Sequence, residues 1–131
     1  MDVWQRRELI KMAPNPERAI DAVSTLAGLR SVAGFGRVTV TLRYVPDALI
    51  ADGTSFAMYL NAIAAGTWTS LEHLATSILQ DANNTLVPRW VRVAVQAGER
   101  PGDEAVVHRV EVEDRQPRWD NPSLLAHLRP V

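Results

Sequence analysis

Arg37-Val38-Thr39-Val40-Thr41-Leu42-Arg43-Tyr44-Val45 alternates throughout: Val38, Val40, Leu42 and Tyr44 fall on one side of an extended chain, and Arg37, Thr39, Thr41 and Arg43 on the other. Successive side chains of a strand point to opposite faces, so this stretch predicts a strand over 37–45 with one face on a core. Pro46-Asp47 ends it, and the short apolar piece 48–51 reads as a returning strand before Asp52-Gly53. Ser55 to Ala65 reads as a helix closed by Gly66. Thr69 to Asn83 is a second helix, because Leu71, Leu74, Ala75, Ile78, Leu79 and Ala82 recur at three- and four-residue steps and make one apolar stripe. Asn83-Asn84 is its expected stop. Trp90 to Gln96 alternates again, 97–104 reads as a turn, and 105–113 as the strand that returns from it.

Upstream the signals are weaker. Gly28, Gly34 and Gly36 bracket a predicted loop, Ala19 to Leu26 reads as a strand, and Ala13-Pro14-Asn15-Pro16 as a breaker cluster. Residues 1–12 are expected to form an N-terminal arm, helical or extended. Residues 116–131 form a C-terminal tail, in which Ser123 caps a short helix ending near Leu128. The order strand, strand, helix, helix, strand, strand predicts one α+β domain over 1–131: an antiparallel four-stranded sheet with both helices on one face. Two sheet edges then stand open, and side-by-side association of subunits is a common way to satisfy them.

The 131 residues suit one domain, with 47% hydrophobic and 22% charged residues, a globular profile. Fourteen basic against fifteen acidic side chains give a net charge of −1, which excludes nucleic-acid binding driven mainly by phosphate neutralisation. A membrane span needs about 18 to 20 apolar residues in a row, and no run approaches that. Met1-Asp2-Val3-Trp4-Gln5-Arg6-Arg7 lacks the apolar stretch of a signal peptide, so a cytoplasmic protein without a membrane partner is expected. Cysteine is absent, which removes disulfides, thiolate metal sites and every cysteine nucleophile. His73, His108 and His127 are too scattered for a zinc site, and no metal is expected. Lys11 is the single lysine, an unpromising basis for Schiff-base chemistry.

Four strings carry a resemblance: Asn15-Pro16-Glu17-Arg18, Val40-Thr41-Leu42-Arg43-Tyr44-Val45-Pro46-Asp47, Met58-Tyr59-Leu60-Asn61 and Pro88-Arg89-Trp90. In order and nearly in spacing the chain resembles the QueF family, the NADPH-dependent 7-cyano-7-deazaguanine reductases, over roughly residues 8 to 113. These belong to the tunnelling-fold superfamily with GTP cyclohydrolase I, 6-pyruvoyl-tetrahydropterin synthase and dihydroneopterin aldolase. The resemblance implies a tunnelling fold whose subunits close a barrel by edge-to-edge strand pairing. It also implies ligand sites between subunits, and hence a homo-oligomer.

The chemistry of that family is not carried over. Its cysteine attacks a nitrile from a Leu-Cys-Pro-x-Thr-Gly context; the matching stretch, Leu29-Arg30-Ser31-Val32-Ala33-Gly34, puts Leu29 or Arg30 there. Ser31 beside it has no visible base to activate it. The family's proton-donating aspartate falls on Phe35-Gly36-Arg37. Its Glu-x-Lys-Ser-hydrophobic-Lys-x-Tyr signature for NADPH maps onto residues 52–59, where Asp52, Ser55, Phe56 and Tyr59 keep the pattern. Thr54 and Ala57 replace both lysines that serve the dinucleotide phosphates, and Arg-Gly-Gly is reduced to Arg100-Pro101-Gly102. No cofactor and no cysteine-dependent nitrile reduction are therefore expected.

The resemblance keeps an anchor. Tunnelling-fold proteins hold a planar purine or pterin by a glutamate at the start of the second helix, whose carboxylate accepts paired N–H bonds from the heterocycle. Glu72, in Thr69-Ser70-Leu71-Glu72-His73-Leu74-Ala75, falls at that place, with Leu71 where QueF proteins carry a histidine. Other readings stand beside these. Thr69-x-x-Glu72 also spells a capping box, and Asp52 beside Gly53 also reads as a turn residue or helix cap. His73, about 100° round the helix from Glu72, also reads as a solvated or interface histidine. Trp68 reads as a stacking platform or as a core or subunit contact. His108 and the run Glu111 to Arg115 are expected to face solvent.

The candidate ligand set is thus Glu72, Asp52, Ser55, Trp68 and His73. The expected function is to bind a planar N-heterocycle or similar small cyclic molecule between subunits, any reaction being non-covalent. The alternatives are a non-catalytic oligomeric scaffold or regulatory relative, or a repurposed cyclase or isomerase of a specialised biosynthetic pathway.

Overall fold

A computed structural model describes residues 1–98 and 106–128. The chain opens with α1 (Val3–Glu8), β1 (Met12–Pro14), β2 (Ser24–Val32), β3 (Gly36–Val45) and β4 (Leu49–Ala51). It continues through α2 (Gly53–Ala65), α3 (Leu71–Leu86), β5 (Trp90–Ala97), β6 (His108–Arg115) and α4 (Pro122–Ala126). Four strands form an antiparallel sheet in the order β2-β3-β5-β6, leaving β2 and β6 at the edges.

The alternation at 37–45 does what its period requires. Val38, Val40, Leu42 and Tyr44 are buried against the helices. Register carries the apolar rows across the sheet: Leu26 stands opposite Leu42, Leu42 opposite Val93, and Val93 opposite Val112. Phe56, Tyr59, Leu60 and Ile63 of α2 and Leu71, Leu74, Ile78 and Ala82 of α3 complete one core. Each large side chain so buried is worth about 1.5–3 kcal/mol of transfer free energy. The opposite sheet face is polar, with Arg92 donating to Glu113 and Arg109 to Glu111.

Several boundaries differ from the sequence reading. The strand expected over 19–26 begins only at Ser24, residues 19–23 not being strand, and as β2 it runs on to Val32, so Gly28 lies inside it rather than at a loop. There α2 comes close, and a Cβ on Gly28 would sit 2.5 Å from Leu60 Cδ1. Arg30, on the same face, donates to Asn61 Oδ1 and to the Ala57 carbonyl. A glycine and an arginine on the helix-facing side erase the apolar period there. The loop contracts to residues 33–35, with positive φ at Gly34 within it and at Gly36, the first residue of β3. Ser31 therefore stands on an edge strand and not in a loop.

The piece 48–51 pairs with the N-terminal arm and not with the sheet: Met12 stands opposite Ala51 and Pro14 opposite Leu49. Ala13 and Pro14 of the breaker cluster are thus the end of a strand, where a proline is tolerated. α3 runs through Asn83-Asn84 because both amides find partners, Asn83 on Asp114 and Asn84 on the Gln80 carbonyl. It stops at Val87, at φ 45°, ahead of Pro88, which disfavours helix in the residue before it. Asn121 caps α4 in place of Ser123, and β6 begins at His108. The expected turn beyond Gly98, including Arg100-Pro101-Gly102, and Pro130 lie outside the described residues. Among the described residues no helix is long and apolar enough to cross a membrane.

Candidate functional site

Glu72 is the second residue of α3, in its first turn. Ser70 is the N-cap, its hydroxyl accepting the His73 N–H at 3.0 Å. Thr69 turns its hydroxyl to His73 Nδ1 instead, at 3.2 Å. The capping box read from Thr69 and Glu72 is therefore not formed, since either hydroxyl suits a cap and packing selects the second. Glu72 is left free of the backbone, in a helix's first turn, where the dipole favours a carboxylate. Its side chain is 60% exposed, and Oε1 lies 3.2 Å from His108 Nε2, the first residue of edge strand β6. His108, read as a solvent-facing strand end, is half exposed but is the acid's partner. The pair stands at an open margin of the sheet. It lies outside the groove lined by Trp68 and His73.

The other four predicted residues lie elsewhere. Asp52 caps α2, accepting the Thr54 N–H at 3.3 Å. Ser55 is buried, and its hydroxyl accepts the Lys11 N–H and donates to the Asp52 carbonyl. Together they fasten the N-terminal arm to α2. Trp68 donates its indole N–H to the Ile63 carbonyl at 2.8 Å and lies beneath Arg6, whose guanidinium carbon is 5.5 Å from the ring centre. His73 meets the same ring edge-on at 5.4 Å. The structure thus brings Trp68 and His73 together in a groove between α1, α2 and α3, while Glu72 faces β6 and Asp52 with Ser55 sits at the start of α2.

Sequence reasoning missed the most constrained acid. Asp81 is fully buried and accepts from Arg6 Nε at 2.6 Å, Arg6 Nη2 at 3.1 Å, Arg7 Nε at 2.8 Å and the Tyr59 hydroxyl at 2.6 Å. Burial, reinforced by the neighbouring carboxylate, pushes the Tyr59 phenol well above its ordinary range, so it stays protonated and donates. The hydrogen bond to Asp81 likewise raises Arg6 against the opposing effect of burial. A signal was present: Leu74, Ile78 and Asp81 keep the four- and three-residue steps of the stripe, placing an acid on the buried face.

Three of the resemblance-bearing strings meet at one end of the sheet. Arg89 donates to Asp21 at 3.0 Å, to the Arg18 carbonyl at 2.7 Å and to Asp47 at 3.4 Å. Asn15 donates to the Asp47 carbonyl. Partial burial opposes charge on Asp21, but hydrogen bonds from Asn121, Trp119 and Arg89 outweigh it and hold its carboxyl below the ordinary range. Asp47 is held low by Gln116, against burial, with help from Arg18 and Arg89. Both folded pKa values lie below the unfolded ones, so the unfolded chain takes up protons first as pH falls. Stability from these two acids should be complete above about pH 5 and drain as pH falls through about 4 and below. Urea midpoints measured between pH 7 and pH 3 test this; a midpoint that does not fall below pH 4 contradicts it.

No protein-family model matches the chain. Over 81 residues it is 33% identical to the NADPH-dependent 7-cyano-7-deazaguanine reductase of Syntrophus aciditrophicus (strain SB), a stretch covering 62% of this chain and 55% of that protein. The chain thus spans about half the length of the curated relative it matches. Its fold is similar to the crystal structure of the archaeosine synthase QueF-Like in the apo form, with a TM-score of 0.50 and 16% identity over 70% of this chain and 90% of that one. The α+β arrangement of antiparallel sheets and four helices matches that fold. The chain is thus similar in sequence to a 7-cyano-7-deazaguanine reductase over part of its length, and similar in fold to a QueF-like synthase.

Proposed function

We propose that this QueF-like chain has lost the thioimide-forming cysteine and the NADPH site, and uses Glu72 to hold a planar N-heterocycle or similar small cyclic molecule at a boundary between subunits. The observation that supports it is a carboxylate free of helix capping, in the field of a helix N-terminus, beside an edge strand whose outer hydrogen-bonding groups suit a second chain. A pocket around Glu72 takes its other wall from that second chain, in a homo-oligomer that closes a barrel.

The residues that match the family's NADPH signature do not fit the dinucleotide. Tyr59 is buried on Asp81, the Ser55 hydroxyl is engaged both ways, Asp52 caps a helix, and Thr54 and Ala57 bring no charge. What this chain supplies is binding and orientation. The Glu72 carboxylate accepts two parallel N–H bonds from the amidine edge of the ring, and His108 shares one of its oxygens. Any reaction would proceed by proton transfer and confinement, without a covalent step.

A thermal-shift screen of guanine, 7-deazaguanine and pterin tests the reading. One of them should raise the melting temperature by about 5 °C at saturating concentration. Glu72→Gln should leave the ligand-free melting temperature unchanged and weaken binding about tenfold, since a charge-assisted pair becomes a mixed neutral one. A flat screen would leave the non-catalytic scaffold as the better account.

A further inference from the structure

The groove between α1, α2 and α3 has about 490 Å³ of space. His73, Ser77 and Gln80 line it from α3 at steps of four and three residues, which is one face of that helix. Ala62 and Ala65 line it from α2, and Trp68 lines it from the segment between α2 and α3. The lining is therefore small and apolar on the α2 side, aromatic at Trp68 and polar on the α3 side.

Two features of its chemistry point to a ligand. Arg6 and Arg7 both line the groove, and both bond the single carboxylate of Asp81. Two guanidinium charges against one carboxylate leave one positive charge over, and no acidic side chain lines the groove among the described residues. Ser77 is the second feature. It is 9% exposed and lines the groove from α3, where its hydroxyl can donate to a ligand. His73 adds a donor: the Thr69 N–H points to Nδ1 at 3.5 Å, and a neutral imidazole that accepts at Nδ1 carries its proton on Nε2.

We propose that this groove is a second binding site, separate from Glu72, for a small organic monoanion whose carboxylate is met by the Arg6–Arg7 pair and by the His73 and Ser77 donors while its apolar part lies on Trp68, Ala62 and Ala65. A single excess charge matches a carboxylate better than a doubly charged phosphate. The site does not depend on the heterocycle reading, because Glu72 faces β6.

Benzoate and inorganic phosphate are the probes, titrated into the full chain against sodium chloride at equal ionic strength and followed by amide and indole N–H resonances. Benzoate should shift the Trp68 indole and the Ser77 amide saturably. Ser77→Ala, a substitution that a helix interior favours, should keep the melting temperature and weaken benzoate about three- to tenfold. Ser77→Leu, which puts a bulkier apolar side chain in place of the donor, should abolish saturation, and Glu72→Gln should leave it intact. Absence of saturable benzoate shifts, saturation by phosphate alone, or benzoate binding that both Ser77 variants leave unaltered would each overturn the proposal.

Discussion

Asp81→Ala is expected to lower the free energy of unfolding by about 3–5 kcal/mol, the largest loss of any single side chain outside the apolar core. The carboxylate is 0% exposed and holds three guanidinium N–H groups and a phenol. Its removal strands two charges that are only 13% and 15% exposed at their side chains, together with the buried Tyr59 hydroxyl. Uncompensated buried charge, more than the lost attraction, sets the size of the effect. Asp81→Asn keeps the shape and some hydrogen bonds and should lose less. Because Arg6 and Arg7 belong to α1, amide exchange in that helix should quicken before the sheet is affected. Urea denaturation at pH 7 reads the effect, and a loss below about 1 kcal/mol would contradict this account.

Arg89→Met should cost about 2–4 kcal/mol. The guanidinium ties together Asp21, Asp47 and the Arg18 carbonyl, so its loss frees two carboxylates that are about a quarter exposed. The cost stays below that of Asp81→Ala because each acid keeps other donors, Trp119 and Asn121 for Asp21, Gln116 for Asp47. With Arg89 gone, both carboxyls should titrate closer to the ordinary range, and the fall of stability below pH 5 should become shallower. Denaturation of the variant at pH 7 and pH 4 separates the two effects. An unchanged pH dependence would show that Arg89 does not hold those acids low.

Periodic burial made the centre of the fold legible. β3 and β5 bury one face each and α3 buries one stripe, and each leaves its period in the sequence. β2 was harder because an edge strand that meets α2 with Gly28 and Arg30 carries no apolar row. β1 and β4 are three residues each, too short to show a period, and their pairing depends on the arm's return across the chain. At the start of α3 two hydroxyl residues stand side by side, and nothing local tells which one caps. Glu72 was legible as a first-turn acid, but its pairing with His108 arises only when the sheet places the start of β6 over α3. Of the five residues expected in one ligand set, Trp68 and His73 touch each other, whereas Asp52 and Ser55 serve the arm. The residues that carry the family likeness prove largely architectural, since Asn15, Asp47 and Arg89 bind one another at the end of the sheet.

Calorimetric titration of pterin and guanine into the wild-type chain and into Glu72→Gln asks most directly whether that first-turn acid is still an anchor. A saturable heat for one of the two ligands, at no more than one ligand per chain and about tenfold weaker in the variant, is the predicted result. Isotherms that superimpose for the two proteins would contradict it.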